Sequence, residues 1–291
     1  MSHKAGFVNI VGSPNVGKST LMNQLMGSKM SIVTPKAQTT RHRILGIVNE
    51  EDYQVVFSDT PGVVNSAYAL HDAMMGYVNT SIQDADVLIF ITDINEDEMN
   101  HKETLEKIQK LKIPVICLIN KIDLGDQAKA MERISYWQER LPDAYVYLLS
   151  ALHGFNIDLL WERILKLIPE CPPYYDKEDL SDRPMRFFIS EMIREKIFIH
   201  CQKEVPYSSQ IEIEEYLEEQ DIIKIRALII VERDSQKGII IGKGGEMLKR
   251  IGREARQDIE KFVMKKVFLE TFVKVDKDWR TSDTKLKKYG Y

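Results

Sequence analysis

The sequence predicts two domains: an α/β domain whose mostly parallel sheet is wrapped by helices on both faces, then a smaller α+β domain. Three observations predict it. Short Val- and Ile-rich runs alternate with amphipathic stretches through the first 170 residues, the pattern of buried parallel strands separated by crossover helices. The stretch IPECPPYYDKEDLSDRP, with four prolines, interrupts that pattern at 168–184. Beyond it, strand-like segments alternate apolar and polar residues, as strands do when only one face is buried. A chain of 291 residues with 44% hydrophobic content is long enough for two cores. The expected boundaries are residues 1–170, a linker at 171–184, and residues 185–291.

In order, FVNIVG, ILGIVN, YQVVFSD, DVLIFITDI, PVICLINK and YVYLLSA read as strands of the first domain. Helical segments separate them, Asp126–Arg140 and Ile157–Ile168 among them. The Pro-rich stretch fits no packed element and reads as a linker and hinge. The second domain reads as a helix (MRFFISEMIREKIFIHCQ), two strands (SQIEIEEYLEEQ and DIIKIRALIIVER), a glycine-rich loop, a helix to about Met264 and the strand VFLETFVKV.

The net charge of −4 conceals an asymmetry. Residues through Arg183 carry 18 basic and 25 acidic side chains, whereas those from Lys237 onward carry 15 and 8. The C-terminal part therefore suits a polyanion partner. From Glu204 to Asp221 there are seven acidic residues and no basic one, which reads as the solvent face of a hairpin and as a surface that RNA avoids. Cys117, Cys171 and Cys201 are scattered without metal spacing, so a reducing compartment is expected. The first residues lead straight into a strand, and neither a leader nor a membrane-spanning run is expected.

GSPNVGKST, Gly12 to Thr20, fits the phosphate-loop pattern between a strand and a helix. Gly12, Asn15, Val16, Gly17 and Thr20 would wrap the phosphates, with Lys18 on the terminal ones and Ser19 on Mg²⁺. DTPG, Asp59 to Gly62, closes the strand YQVVFS; the carboxylate would orient Mg²⁺, and Gly62 would offer its N–H to a terminal phosphate. NKID, Asn120 to Asp123, closes PVICLI. The Asp123 carboxylate can accept both N–H donors of guanine. Adenine would leave that buried carboxylate unpaired at a cost of several kcal/mol, on the order of 10⁴-fold. SAL, Ser150, Ala151 and Leu152, ends the next strand, where the Ala151 N–H would reach the base oxygen.

The set resembles the translation-factor-related bacterial GTPases. That resemblance implies GTP and GDP binding with Mg²⁺, hydrolysis of GTP, guanine reading by Asn120 and Asp123, and packing of Lys121 on the base. KAQTTRHR, Lys36 to Arg43, lies where these proteins have their first switch; Thr39 or Thr40 would complete the Mg²⁺ shell, Thr40 being preferred. Lys18, Thr40 and Gly62 would act on the transferred phosphate. Val63 stands where many relatives place a water-orienting glutamine, so either slow intrinsic hydrolysis or a water positioned by other groups is expected. Asn15 either binds a K⁺ that neutralises developing charge, as the resemblance suggests, or only shapes the turn.

IIIGKGGEML carries a second glycine loop. It lacks the four-residue gap and terminal Lys-Ser of a triphosphate cradle. Gly-x-x-Gly with Ile241, Gly242, Lys243, Gly244, Gly245, Lys249 and Arg250 resembles the KH signature, here of type II, in which such a loop clamps single-stranded RNA. A phosphate-loop GTPase domain followed by a KH domain is similar to the Era family. That resemblance implies a factor for small ribosomal subunit assembly that binds small-subunit ribosomal RNA, a cytoplasmic location with peripheral contact at the inner face of the cell membrane, and a monomer. Two other readings are a phosphotransferase, against which Asn120–Asp123 argues, and an RNA-binding module with a degenerate nucleotide site, against which Lys18, Ser19, Asp59 and Asp123 argue.

Overall fold

The computed structural model describes residues 3–64, 67–96 and 102–291. The chain forms two compact units. The first comprises residues up to Ala67 and His71–Asp182; the second takes Arg183–Tyr291 together with Tyr68–Leu70.

The first unit runs β1 (Lys4–Val11), α1 (Lys18–Met26), β2 (Ile44–Asn49), β3 (Tyr53–Asp59), α2 (Ala69–Gln83), β4 (Val87–Asp93), α3 (Lys102–Gln109), β5 (Val115–Asn120), α4 (Gln127–Arg140), β6 (Tyr145–Leu148) and α5 (Ile157–Leu167). Its strands lie in the order β2-β3-β1-β4-β5-β6. Only the edge strand β2 is antiparallel to its neighbour; the others pair in parallel. Both faces are covered, as all-parallel sheets require. Val8, Ile10 and Ile89 pack with Leu21, Leu160 and Ile164 of α1 and α5. Val11, Leu88 and Phe90 pack with Val78, Ile108 and Trp137 of α2, α3 and α4. The near-continuous Val and Ile runs follow from this double burial. The phosphate loop, DTPG and NKID all follow the carboxyl ends of β1, β3 and β5, the end at which open α/β sheets bind ligands.

The expected linker is not a free hinge for most of its length. Residues 171–182 belong to the first unit and lie along the β2–β3 edge. The Gln54 side chain, fully buried, accepts the N–H groups of Tyr174 (2.7 Å) and Tyr175 (3.0 Å) and donates to the Tyr175 carbonyl at 2.9 Å. The Ile47 N–H donates to the Leu180 carbonyl at 2.9 Å, and the Leu45 N–H to the Asp182 carboxylate at 3.2 Å. The Tyr174 ring sits 4.9 Å from Phe7. The strap thus satisfies edge groups of β2 that would otherwise be open to pairing.

The second unit runs α6 (Met185–His200), β7 (Gln210–Glu218), β8 (Ile222–Val231), α7 (Asp234–Ile241), α8 (Glu246–Val263), β9 (Lys266–Val275) and α9 (Asp283–Lys288). The sheet order is β7-β8-β9, with β7 antiparallel and β9 parallel to β8. Ile189, Ile193 and Ile197 of α6 and Ile251, Ala255 and Ile259 of α8 cover Ile223, Ile225 and Ile229. These four-residue spacings align one apolar stripe per helix. The acidic segment is a hairpin strand, with Glu214 and Glu218 exposed. Two helices were not expected: α9 follows β9, and α7 intervenes between β8 and the glycine loop. Gln236 starts α7 by accepting the N–H groups of Glu232 and Arg233 at 3.0 and 3.1 Å.

Candidate functional site

A cavity of about 320 Å³ opens over the phosphate loop, lined by residues 14, 15 and 17–20, by 32–35 and 38–40, by Gly62 and by Lys121. Lys18 starts α1 and is buried. Its ammonium donates to the carbonyls of Ser13 (2.7 Å) and Gly12 (3.1 Å). Burial pulls its pKa down to about 8, against the attraction of Asp59 and Glu96. Gly17 has φ 104°, and a Cβ there would lie 2.2 Å from the Asn120 amide nitrogen. Both conformation and space therefore demand glycine.

Three oxygens gather beside Lys18. The Ser19 hydroxyl donates to the Asp59 carboxylate at 2.7 Å. The Thr40 hydroxyl lies 2.9 Å from that of Ser19 and 3.4 Å from the same carboxylate oxygen. Thr39 points elsewhere, donating to the Lys36 carbonyl at 2.6 Å. Of the two threonines left open by the sequence, Thr40 is the one in this group. Asp59 is fully buried, and its Oδ1 has no hydrogen-bond partner. Burial pushes its carboxyl above the usual range, opposed by the Ser19 hydroxyl and Lys18. A buried, unpartnered carboxylate oxygen beside two hydroxyls is an all-oxygen donor set that fits Mg²⁺. The Val63 N–H donates to the Gly12 carbonyl at 3.2 Å, while its side chain is buried in the core.

The base-reading residues depart from expectation in detail. Asn120 is already engaged on both sides: its amide donates to the Val16 carbonyl at 2.7 Å and its oxygen accepts the Ala151 N–H at 2.9 Å, which leaves its second N–H as the donor for a base. It ties three loops together, and the Ala151 N–H expected to face the base is engaged there. Lys121 has φ 61° and pairs with Asp93 at 2.7 Å. Asp123 is exposed, not buried. The Ser150 hydroxyl donates to its Oδ1 at 2.6 Å, and this bond holds its pKa below the usual range. Leu152 is exposed. Thr20 lines the cavity, and Val16 is in the core.

The second candidate site lies in the second unit. Gly242, Gly244 and Gly245 have φ of 71°, 62° and 80°. A Cβ on Gly242 would lie 2.7 Å from that of Met247, so the loop closes tightly onto α8. The other two face open space. Lys243, Lys249 and Arg250 are exposed around the amino end of α8, where unpaired N–H groups favour anions. Arg250 also pairs with Glu254 at 3.1 Å. Of the apolar flank, Ile240 and Ile251 are buried in the core; Ile239 is about half exposed and Ile241 partly so.

Residues 7–121 match the model of the 50S ribosome-binding GTPase family, and residues 204–280 match the KH domain. GTPase Era of Staphylococcus haemolyticus is 41% identical over 291 residues, 99% of this chain and 97% of the relative. This chain belongs to the Era family of GTPases. The Staphylococcus epidermidis member is 40% identical over the same spans. A crystal structure of Era in complex with MgGDPNP and nucleotides 1506–1542 of 16S ribosomal RNA matches with a TM-score of 0.94 at 39% identity, covering 99% of both chains. A variant of Aquifex aeolicus Era bound to GDP·AlF4⁻ matches equally well.

Sequence reasoning passed over Ser13, Asp93 and Glu96, which bond to the nucleotide loops. Ser13 lies inside the phosphate-loop motif but at one of its variable positions, and Asp93 and Glu96 stand in no recognised motif; only the side-chain contacts reveal them.

Proposed function

We propose that this chain binds GTP and GDP with Mg²⁺ in the first unit, hydrolyses GTP slowly, and binds single-stranded small-subunit ribosomal RNA through the Gly242–Gly245 loop during small ribosomal subunit assembly. The observation that carries the proposal is the gathering of Ser19, Thr40 and Asp59 beside the buried Lys18. The Era complex with MgGDPNP and 16S ribosomal RNA, and the GDP·AlF4⁻ complex of its relative, support both halves.

Ser19 and Thr40 would hold Mg²⁺, with Asp59 oriented toward it; bound there, the ion would neutralise charge on the β- and γ-phosphates. Lys18 exchanges its two carbonyl partners for phosphate oxygens. Gly62, packed on the phosphate loop, offers its N–H to the terminal phosphate. Asp123 accepts the guanine N–H pair, and Asn120 fixes the loops around the base. Val63 has no group to orient water, so intrinsic turnover is slow. Asn15, at φ 63° on the cavity wall, would help to hold a K⁺ whose charge would offset the negative charge that develops on the phosphates. The family resemblance also carries a cytoplasmic monomer with peripheral contact at the inner membrane face; among the described residues no helix is long and apolar enough to cross a membrane.

The test is GTP turnover with Mg²⁺ in K⁺ or Na⁺ at equal ionic strength, with chelator as control. Turnover that needs Mg²⁺ and is faster in K⁺ is expected. Equal rates in the two salts remove the K⁺ site, and turnover that persists in chelator contradicts the metal assignment.

A further inference from the structure

The loop that leaves β4, residues 93–96, belongs to none of the nucleotide-binding motifs, yet it touches two of them. The Ser13 hydroxyl of the phosphate loop donates to Glu96 Oε1, and the Thr92 hydroxyl donates to Oε2 at 2.8 Å. Both hydroxyl residues are buried. Three residues earlier, Asp93 pairs with Lys121 at 2.7 Å, and the Ile94 N–H donates to the Asn120 carbonyl at 2.9 Å. The loop itself is anchored from α4, where the buried Arg133 donates to the Glu96 carbonyl at 3.1 Å.

We propose that Glu96 is a positioning residue for nucleotide binding: its carboxylate clips the phosphate loop at Ser13 to the end of β4, while Asp93 of the same loop holds the guanine-reading loop through Lys121. The two nucleotide-reading loops are thereby braced from one short segment. The chemistry requires a carboxylate. Two buried hydroxyls point at one residue, and each needs an acceptor, since an unpaired buried polar group is costly. Ser13 in turn places the carbonyl that holds Lys18 at 2.7 Å, so the chain of contacts runs from Glu96 through Ser13 to the lysine that meets the phosphates. The Glu96 charge also works against the depression of the Lys18 pKa by burial. Its effect falls first on affinity, through the phosphate loop and Lys18, while Ser19, Thr40 and Asp59 bond to one another and not to this loop and so keep their places.

The inference rests on reading the cleft as a GTP site. The experiment measures affinity for a fluorescent GTP analogue with Mg²⁺, KM and kcat, and thermal stability, for the full chain and its Glu96→Ala, Glu96→Gln and Ser13→Ala variants. Glu96→Ala should raise Kd and KM about tenfold while kcat stays within about twofold. Glu96→Gln keeps an oxygen for Ser13 but cannot accept from both hydroxyls, so it should recover part of the loss. Ser13→Ala, which removes one hydroxyl and keeps the loop foldable, should weaken binding about threefold or more. If Glu96→Ala does not fold, Ser13→Ala and Glu96→Gln decide. Variants that bind like the wild type, or that lose kcat with KM unchanged, overturn the brace alone. A wild-type protein without affinity for GTP overturns the reading of the cleft, and the brace with it.

Discussion

Lys18 is held where burial works against its own charge. Its pKa of about 8 in the free protein should rise when phosphate oxygens replace the carbonyls of Gly12 and Ser13, because an adjacent anion favours the charged form. GTP binding above about pH 8 should therefore take up a proton, and binding at pH 6.5 should not. Calorimetry in buffers of different ionisation enthalpy checks this; buffer-independent heats at pH 8.5 contradict it. For folding, the same lowered pKa acts as a cost that is fully present below about pH 8 and fades as pH rises toward the unfolded value near 10.5. Asp123 supports a second residue-scale prediction. Asp123→Asn should shift preference from GTP toward xanthosine triphosphate by on the order of a hundredfold, since xanthine replaces the guanine amine with an acceptor. Competition binding reads this directly, and retained GTP preference contradicts the base assignment. The types and order of Lys18, Ser19, Asp59 and Asp123 were legible in the sequence. That Asn120 also ties loops together was not, because its Val16 partner lies 104 residues away, and neither was the exposure of Asp123, which carries no local signal.

Among the elements, the strands of the first unit could be read from their Val and Ile runs, although β1 begins at Lys4, ahead of FVNIVG, and β6 stops at Leu148, short of Ala151. The α7 helix and the strap could not. The α7 helix is eight residues long, has Gly238 inside it and ends in Ile239, Ile240 and Ile241, so its apolar run looks extended and its start depends on the Gln236 side chain. The strap at 171–182 has the composition of a linker; it is ordered by main-chain groups meeting Gln54, Leu45 and Ile47, which carry no local signal. Gln54→Ala should release Tyr174 and Tyr175 and destabilise the first unit by about 1–3 kcal/mol. Urea unfolding followed by a probe in that unit measures it; a loss below about 0.5 kcal/mol means the strap holds by its other contacts.

At the scale of the whole chain, the two glycine loops are proposed to serve two different anions. The first sits in a unit with an acidic surplus, 17 basic against 25 acidic residues through Asp182, and is supplied with a buried lysine and a set of oxygens that fits Mg²⁺. The second sits in a segment with 15 basic and 8 acidic residues from Lys237 on, and it offers open glycines at a helix terminus. Mutations at one loop should leave the other's ligand untouched. The most direct test of this division is a paired titration of each variant with a GTP analogue and with a single-stranded ribosomal RNA fragment. Lys18→Ala should lose GTP binding and keep RNA binding in the absence of nucleotide. Gly245→Asp, which adds bulk and negative charge where φ is 80°, should lose RNA binding and keep GTP. RNA binding that survives Gly245→Asp, or that disappears with Lys18→Ala while the protein remains folded, would contradict the assignment of one loop to the nucleotide and the other to the polymer.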